Sequence, residues 1–152
     1  MIFVENQYDL TPAALPELLE RAALAALQNQ SAPQDGSLTI VLTDDDQLHN
    51  LNRDYLGVDS TTDVLSFPSD ETDPETNSPY LGDILVSLPR AASQAESAGH
   101  AIEAEAQLLV VHGVLHLLGH DHTEAEEKER MWQAQAQILA QLGLGDIQIR
   151  ES

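Results

Sequence analysis

From Ile102 to Leu118 the sequence predicts one long apolar helix, stopped by Gly119. This helix constrains the chain most, because it carries histidine at 112 and at 116, just before its end. Residues four apart lie about one turn apart on the same face. Both imidazoles can therefore reach one ion at roughly 2.0–2.1 Å. The turn at Gly119 can swing His122 back toward the same ion. Three nitrogen ligands leave a fourth position for water, the pattern of a catalytic zinc, whereas a structural zinc is closed by a fourth protein ligand. Four of the six histidines fall between positions 112 and 122, which is hard to explain as mere decoration of a helix end. His120 lies among turn residues and reads as exposed rather than ligating. His49 and His100 are remote in sequence and read as ordinary surface histidines. Nickel or iron also suits three histidines, since affinity alone selects poorly among such metals.

The spacing of His112, His116 and His122 equals that of the H-E-x-x-H-x-x-G-x-x-H zinc motif, with one departure: the glutamate position holds Gly113. In metalloproteases that glutamate is the general base for the zinc-bound water, and glycine cannot replace it. Peptide hydrolysis by the usual route is disfavoured. Metal ligands need partners that orient their imidazoles. Asp121 adjoins His122 and is a candidate, against a simpler role in capping the next helix. Glu105, nearly two turns before His112, is a candidate for the cleft rim, against a solvated helix charge. Asp63 and Asp83 stand at strand starts, where clefts often open, and either also suits a turn. Thr62 and Ser66 are weaker candidates for phosphate contact. Met131 falls inside a helix and reads as core.

Around this motif the chain alternates short strands and helices without internal repeats. Ile2 to Val4 suits a first strand. Thr11 and Pro12 suit the N-cap and first position of a helix whose apolar residues run from Leu15 to Ala26. A loop over 30–36 leads to a strand through Leu38, Ile40 and Leu42. Thr43 or Asp44 caps a helix to about Tyr55, with Gly57 as its stop and Leu48 and Leu51 facing inward. Strands are expected at 63–67 and 84–87, separated by a polar surface loop over 69–79. Pro89 opens a helix to about Ala98. Thr123 and Glu126 resemble a capping box for a last helix through Leu142. The sum is an α+β fold, a single small mixed sheet with helices packed on it, one of them a zincin-like metal-bearing helix. Residues 1–152 fit a single metal-dependent hydrolase domain.

Net charge narrows the partners. At −20, with only six basic residues, the surface repels nucleic acid at long range. That argues against a general coating protein but leaves room for a local site where a metal cation meets one phosphate. No apolar run approaches the roughly 20 residues of a membrane span, and the start lacks signal-like features, so a cytoplasmic location and no membrane partner are expected. Zero cysteines exclude disulfides and thiolate ligands.

The stretch His112-Gly113-Val114-Leu115-His116-Leu117-Leu118-Gly119-His120-Asp121-His122 closely resembles the H-G-x-L-H-L-x-G-Y-D-H signature of the YbeY family. Ser60 to Pro68 resembles the family's P-T-D-V-L-S-F-P strand, and Leu81-Gly82-Asp83-Ile84 its L-G-D-I strand start. Leu51-Asn52 to Tyr55 and Glu105 also fall in register, so the resemblance runs in order over about 38–142. It implies a single-strand-specific, zinc-dependent endoribonuclease with one zinc ion per chain, held by His112, His116 and His122. It further implies work in ribosomal RNA maturation, at the 3′ end of the small-subunit RNA, and in ribosome quality control. The small ribosomal subunit, ribosomal proteins or an assembly GTPase are the implied partners. Two positions depart from the pattern. His120 stands for the tyrosine of G-Y-D-H, and Leu56 stands for the arginine of a Y-R-G segment thought to hold substrate phosphate. Arg53, three residues earlier, lies on the same helical face as a partial substitute. Leu56 keeps a second reading open, a ribosome-associated assembly factor with weak or no catalysis. Another zinc hydrolase is the third.

Overall fold

The structure, a computed structural model, describes residues 1–8, 11–33, 35–120 and 124–147. In chain order its elements are β1 (Ile2–Asn6), α1 (Leu15–Asn29), β2 (Ser37–Thr43), α2 (Asp45–Leu56), β3 (Val64–Pro68), β4 (Tyr80–Ser87), α3 (Leu88–Ala98), α4 (Ile102–Leu117) and α5 (Ala125–Gln141). The strands form one four-stranded sheet in the order β1-β2-β4-β3. β1 and β4 both run parallel to the central β2, while β3 pairs antiparallel with β4 and forms one edge. This is the small mixed sheet of an α+β fold, as the alternation of elements leads one to expect. Among the described residues no helix is long and apolar enough to cross a membrane.

The two-residue period of the strands divides the core. Leu38, Ile40 and Leu42 of β2, with Ile84 and Val86 of β4, share the main core with α1, α4 and α5. Val41, Leu65 and Leu85 point to the other face and pack on Leu48 of α2. Each fully buried Leu, Ile or Val contributes about 1.5–3 kcal/mol relative to exposure. α4 is buried without interruption from Ala104 to Leu115. A helix apolar all round needs cover on every side, and the sheet, α1, α3 and α5 supply it. Met131 is fully buried, the core residue its helical position suggests.

Helix ends follow local chemistry. Asp44 caps α2 by accepting from the Gln47 N–H at 3.0 Å, and Gly57 closes it at φ 72°. The Ser87 hydroxyl caps α3 and donates to Asp45 at 2.6 Å. Burial alone would raise the Asp45 carboxyl. The bonds from Ser87 and Arg90, with the Arg90 charge, outweigh it and hold the pKa below the usual value.

Three boundaries differ from the sequence reading. α1 starts at Leu15 with Ala14 at its cap, so Thr11 is not the N-cap. The Thr11 hydroxyl is instead engaged with the Tyr8 carbonyl at 2.7 Å and Asn6 at 2.8 Å, which ties it to the end of β1. Pro16 takes the early helical position expected of Pro12. β4 begins at Tyr80, four residues before Ile84, because pairing with strands on both sides overrides the low strand preference of Gly82 and Asp83. α5 has Glu124 at its cap with no side-chain bond, and the other half of the expected capping box, Thr123, lies outside the described residues.

Candidate active site

His112 and His116 occupy the last two turns of α4, where the helix emerges from the core. His112 is buried and His116 half-buried. Their Nε2 atoms approach to 2.9 Å, with ring centroids 4.5 Å apart and planes at 67°. The four-residue spacing brings two imidazole nitrogens to one small region at the end of α4. Two imidazole nitrogens so close suit a shared cation, since each can offer a lone pair to it. The third expected ligand, His122, and the adjoining Asp121 lie outside the described residues. Among the described residues no group of three metal-ligating side chains converges.

The pair opens on a cleft of about 370 Å³, walled by Leu56 at the end of α2, by Thr62 to Ser66 and Pro68 along β3, and by the two histidines. β3 is an edge strand, and its register decides what it offers. The Ser87 N–H donates to Asp63 O and the Ser69 N–H to Leu81 O. Alternate residues 63, 65, 67 and 69 therefore direct their backbone groups toward β4. The N–H and C=O groups of Val64 and Ser66 face the free edge, on the cleft side of the sheet. The Ser66 hydroxyl donates to Gly113 O at 3.1 Å and ties the strand to the metal-bearing helix. Thr62 donates to the Asp63 carboxylate at 3.3 Å.

The glycine that follows His112 is a packing residue. A Cβ on Gly113 would lie 2.8 Å from Ile84 Cγ2 and 3.2 Å from Ser66 Oγ. A side chain there would have to displace Ile84, so packing as well as chemistry disfavours a protease-type base at this position.

The other candidates separate cleanly. Asp63 lines the cleft. Asp83 does not: it accepts from the Tyr80 hydroxyl, which also bonds Thr39 at 2.7 Å. Burial and the Asp83 carboxylate push Tyr80 up to about 12. Glu105 is fully buried and bonds His100 Nε2 at 2.7 Å. It is therefore neither on the cleft rim nor a solvated charge, and His100 is half-buried against it rather than a free surface histidine. His49 does lie at the surface, paired with Asp59. His120 is half-buried, 2.6 Å from Gln30 Oε1, and burial with nearby Arg130 lowers its pKa. Arg53 bonds Asp54 and Asn50 and does not line the cleft, so it does not take the place of the missing arginine. Leu56 does line the cleft. What the sequence reading missed is that Tyr55, which it places at the end of the second helix, stands 72% exposed beside Leu56. Its signal is exposure of a large aromatic, which a helical pattern does not reveal.

Comparison with known proteins identifies the family. The sequence model of the family described as Endoribonuclease YbeY matches residues 2–143. A protein of Chloroflexus aurantiacus named Endoribonuclease YbeY is 45% identical over 147 residues, covering 93% of this chain and 96% of its own. Proteins of the same name from Desulfitobacterium hafniense and Geobacillus kaustophilus are 42% and 37% identical, covering 86% and 93% of this chain and 87% and 95% of theirs. The solution structure of TM1509 from Thermotoga maritima shares the fold, with a TM-score of 0.58 at 23% identity over 100% of this chain and 99% of that one. With matches that run nearly end to end and a histidine pair set at the edge of β3, the chain belongs to the YbeY family of endoribonucleases.

Proposed function

We propose that residues 1–152 form one metal-dependent endoribonuclease domain that cleaves single-stranded ribosomal RNA, in maturation of the small-subunit RNA 3′ end and in ribosome quality control, in the cytoplasm. The observation that carries it is the approach of His112 and His116 Nε2 to 2.9 Å at the mouth of a cleft walled by an edge strand. In this reading His122 completes the ligand set for one zinc ion, and Asp121, its neighbour in sequence, orients a ligand imidazole. Zinc, when bound, supplies charge that stabilises a developing negative oxygen and lowers the pKa of water. The protein supplies the rest. The outward N–H groups of Val64 and Ser66 donate to backbone oxygens of the RNA. Asp63 is the carboxylate among the described residues that line the cleft, and with Gly113 in the usual position of a base it is the group available to accept a proton. The buried Glu105–His100 pair holds the start of α4 rather than touching substrate.

The test is metal content of untagged protein beside His116→Ala, followed by cleavage of ribosomal RNA fragments with and without chelator. About one zinc ion per chain, lost in the variant, with cleavage abolished by chelator and slowed by Asp63→Asn, is expected. A chain that takes up no metal when zinc is supplied at neutral pH overturns the reading.

A further inference from the structure

We propose that Tyr55, which adjoins Leu56 of the cleft wall, forms a stacking platform beside the cleft that holds an unpaired RNA base. This rests on the endoribonuclease reading of the same cleft. Among the described residues six large hydrophobic side chains are exposed, and three of them fall within four consecutive positions, Tyr55 at 72%, Leu56 at 55% and Val58 at 47%. Scattered exposed hydrophobes need no explanation, but a cluster beside a functional cleft does. Leu56 itself belongs to the cleft wall. Tyr55 is not loose: its ring packs edge-to-face on Phe67 of β3, with centroids 6.0 Å apart at 71°. An aromatic ring fixed at one edge and open to solvent presents a π-surface at little ordering cost, the arrangement on which nucleic-acid bases stack.

Charge gives such a contact weight. RNA-binding surfaces ordinarily gain affinity by placing Lys and Arg on phosphates. Here the net charge is −20, and no Lys or Arg is among the described residues that line the cleft. Outside the metal, the chemistry left to hold RNA among the described residues is backbone hydrogen bonding at the β3 edge, the Thr62 and Ser66 hydroxyls, and stacking on the apolar rim. Stacking discriminates by strandedness, because a paired base has both faces covered. The platform therefore selects single-stranded substrate by its bases rather than by its phosphates.

The experiment compares binding of a short oligouridylate and of an abasic ribose-phosphate oligomer of equal length to the full chain. Chelator is present to stop cleavage, and fluorescence anisotropy reads the binding. Cleavage kinetics are measured in parallel with zinc. The expected result is weaker binding of the abasic oligomer and, for Tyr55→Ala, a rise in Kd and KM of about 5- to 150-fold with kcat little changed. Tyr55→Trp should restore both values. Equal binding of the two oligomers, or Tyr55→Ala cleaving with unaltered KM, overturns the platform while leaving the nuclease reading intact. Base-dependent, Tyr55-dependent binding without cleavage of any RNA supports the platform and removes the nuclease reading.

Discussion

Replacing Gly113 by alanine tests whether the residue after His112 is there for packing. Judged as an isolated helix position, the change should stabilise the chain by about 1 kcal/mol, the helix-propensity gap between the two residues. The structure predicts the opposite sign. The added methyl would sit 2.8 Å from Ile84 Cγ2 and 3.3 Å from Ile84 Cδ1, and 3.2 Å from the Ser66 hydroxyl that donates to Gly113 O. Overpacking of this kind costs about 1–3 kcal/mol, and weakening the hydrogen bond adds about 0.5–1.5 kcal/mol. After the propensity gain is subtracted, Gly113→Ala should lose about 1–3 kcal/mol net. Urea unfolding with an unchanged slope reads this directly. A double-mutant cycle with Ile84→Ala supplies the control. Ile84→Ala alone should cost about 2–5 kcal/mol. Because it removes the atoms in collision, the double variant should be more stable than the sum of the two losses by about 1–3 kcal/mol. Zinc affinity should fall in Gly113→Ala, since the shifted helix moves both histidines relative to β3, and should partly return in the double variant. A Gly113→Ala protein stabilised by about 1 kcal/mol, with no coupling to Ile84, would refute the packing argument.

Two further perturbations probe the cleft and its frame. Leu56→Arg puts a cation into the cleft wall. It should tighten RNA binding and steepen the salt dependence of log K by about 0.7, the contribution of one phosphate contact on a single strand, and a titration at several salt concentrations checks it. An unchanged slope would mean that RNA phosphate does not pass that wall. Asp45→Asn removes a carboxylate whose folded pKa lies below its ordinary 3.8 through Ser87 and Arg90. A depressed acid stabilises the fold above its unfolded pKa and loses that effect as pH falls through the folded value. The stability gap between wild type and variant should thus be present at neutral pH and close below pH 3.8, measured by urea unfolding across pH.

Much of this was legible in the residues. Asp44 at the start of α2 and the left-handed Gly57 and Gly99 after α2 and α3 act where local chemistry placed them, because caps depend on a few neighbouring atoms. The spacing of His112 and His116 likewise needs only helical geometry. What depends on tertiary contact was harder to read. The helix start at Leu15 depends on Thr11 being engaged by Tyr8 and Asn6. The fate of Glu105 depends on His100, five residues earlier across a turn, so that a charge on a helix becomes a buried partner. Tyr55 stays 72% exposed although its ring meets Phe67, and no periodicity encodes how far a helix end is covered.

The signature residues divide between chemistry and geometry, and two glycines show where the line falls. A Cβ on Gly82 would meet Phe67 O at 2.3 Å and Leu117 Cδ2 at 2.9 Å, at a φ of 138° that side chains disfavour. Gly113 meets Ile84 and Ser66 in the same corner. These two positions let β3, β4 and the end of α4 close on one another. Leu117 follows His116 directly, and Ser66 lies on the strand that walls the cleft. Enlarging either glycine would push the strand edge away from the imidazoles without touching a single ligand. The glycines of H-G-V-L-H and L-G-D-I therefore set the distance between the histidines and the free edge of β3, and a reaction at that edge depends on them as much as on the nitrogens.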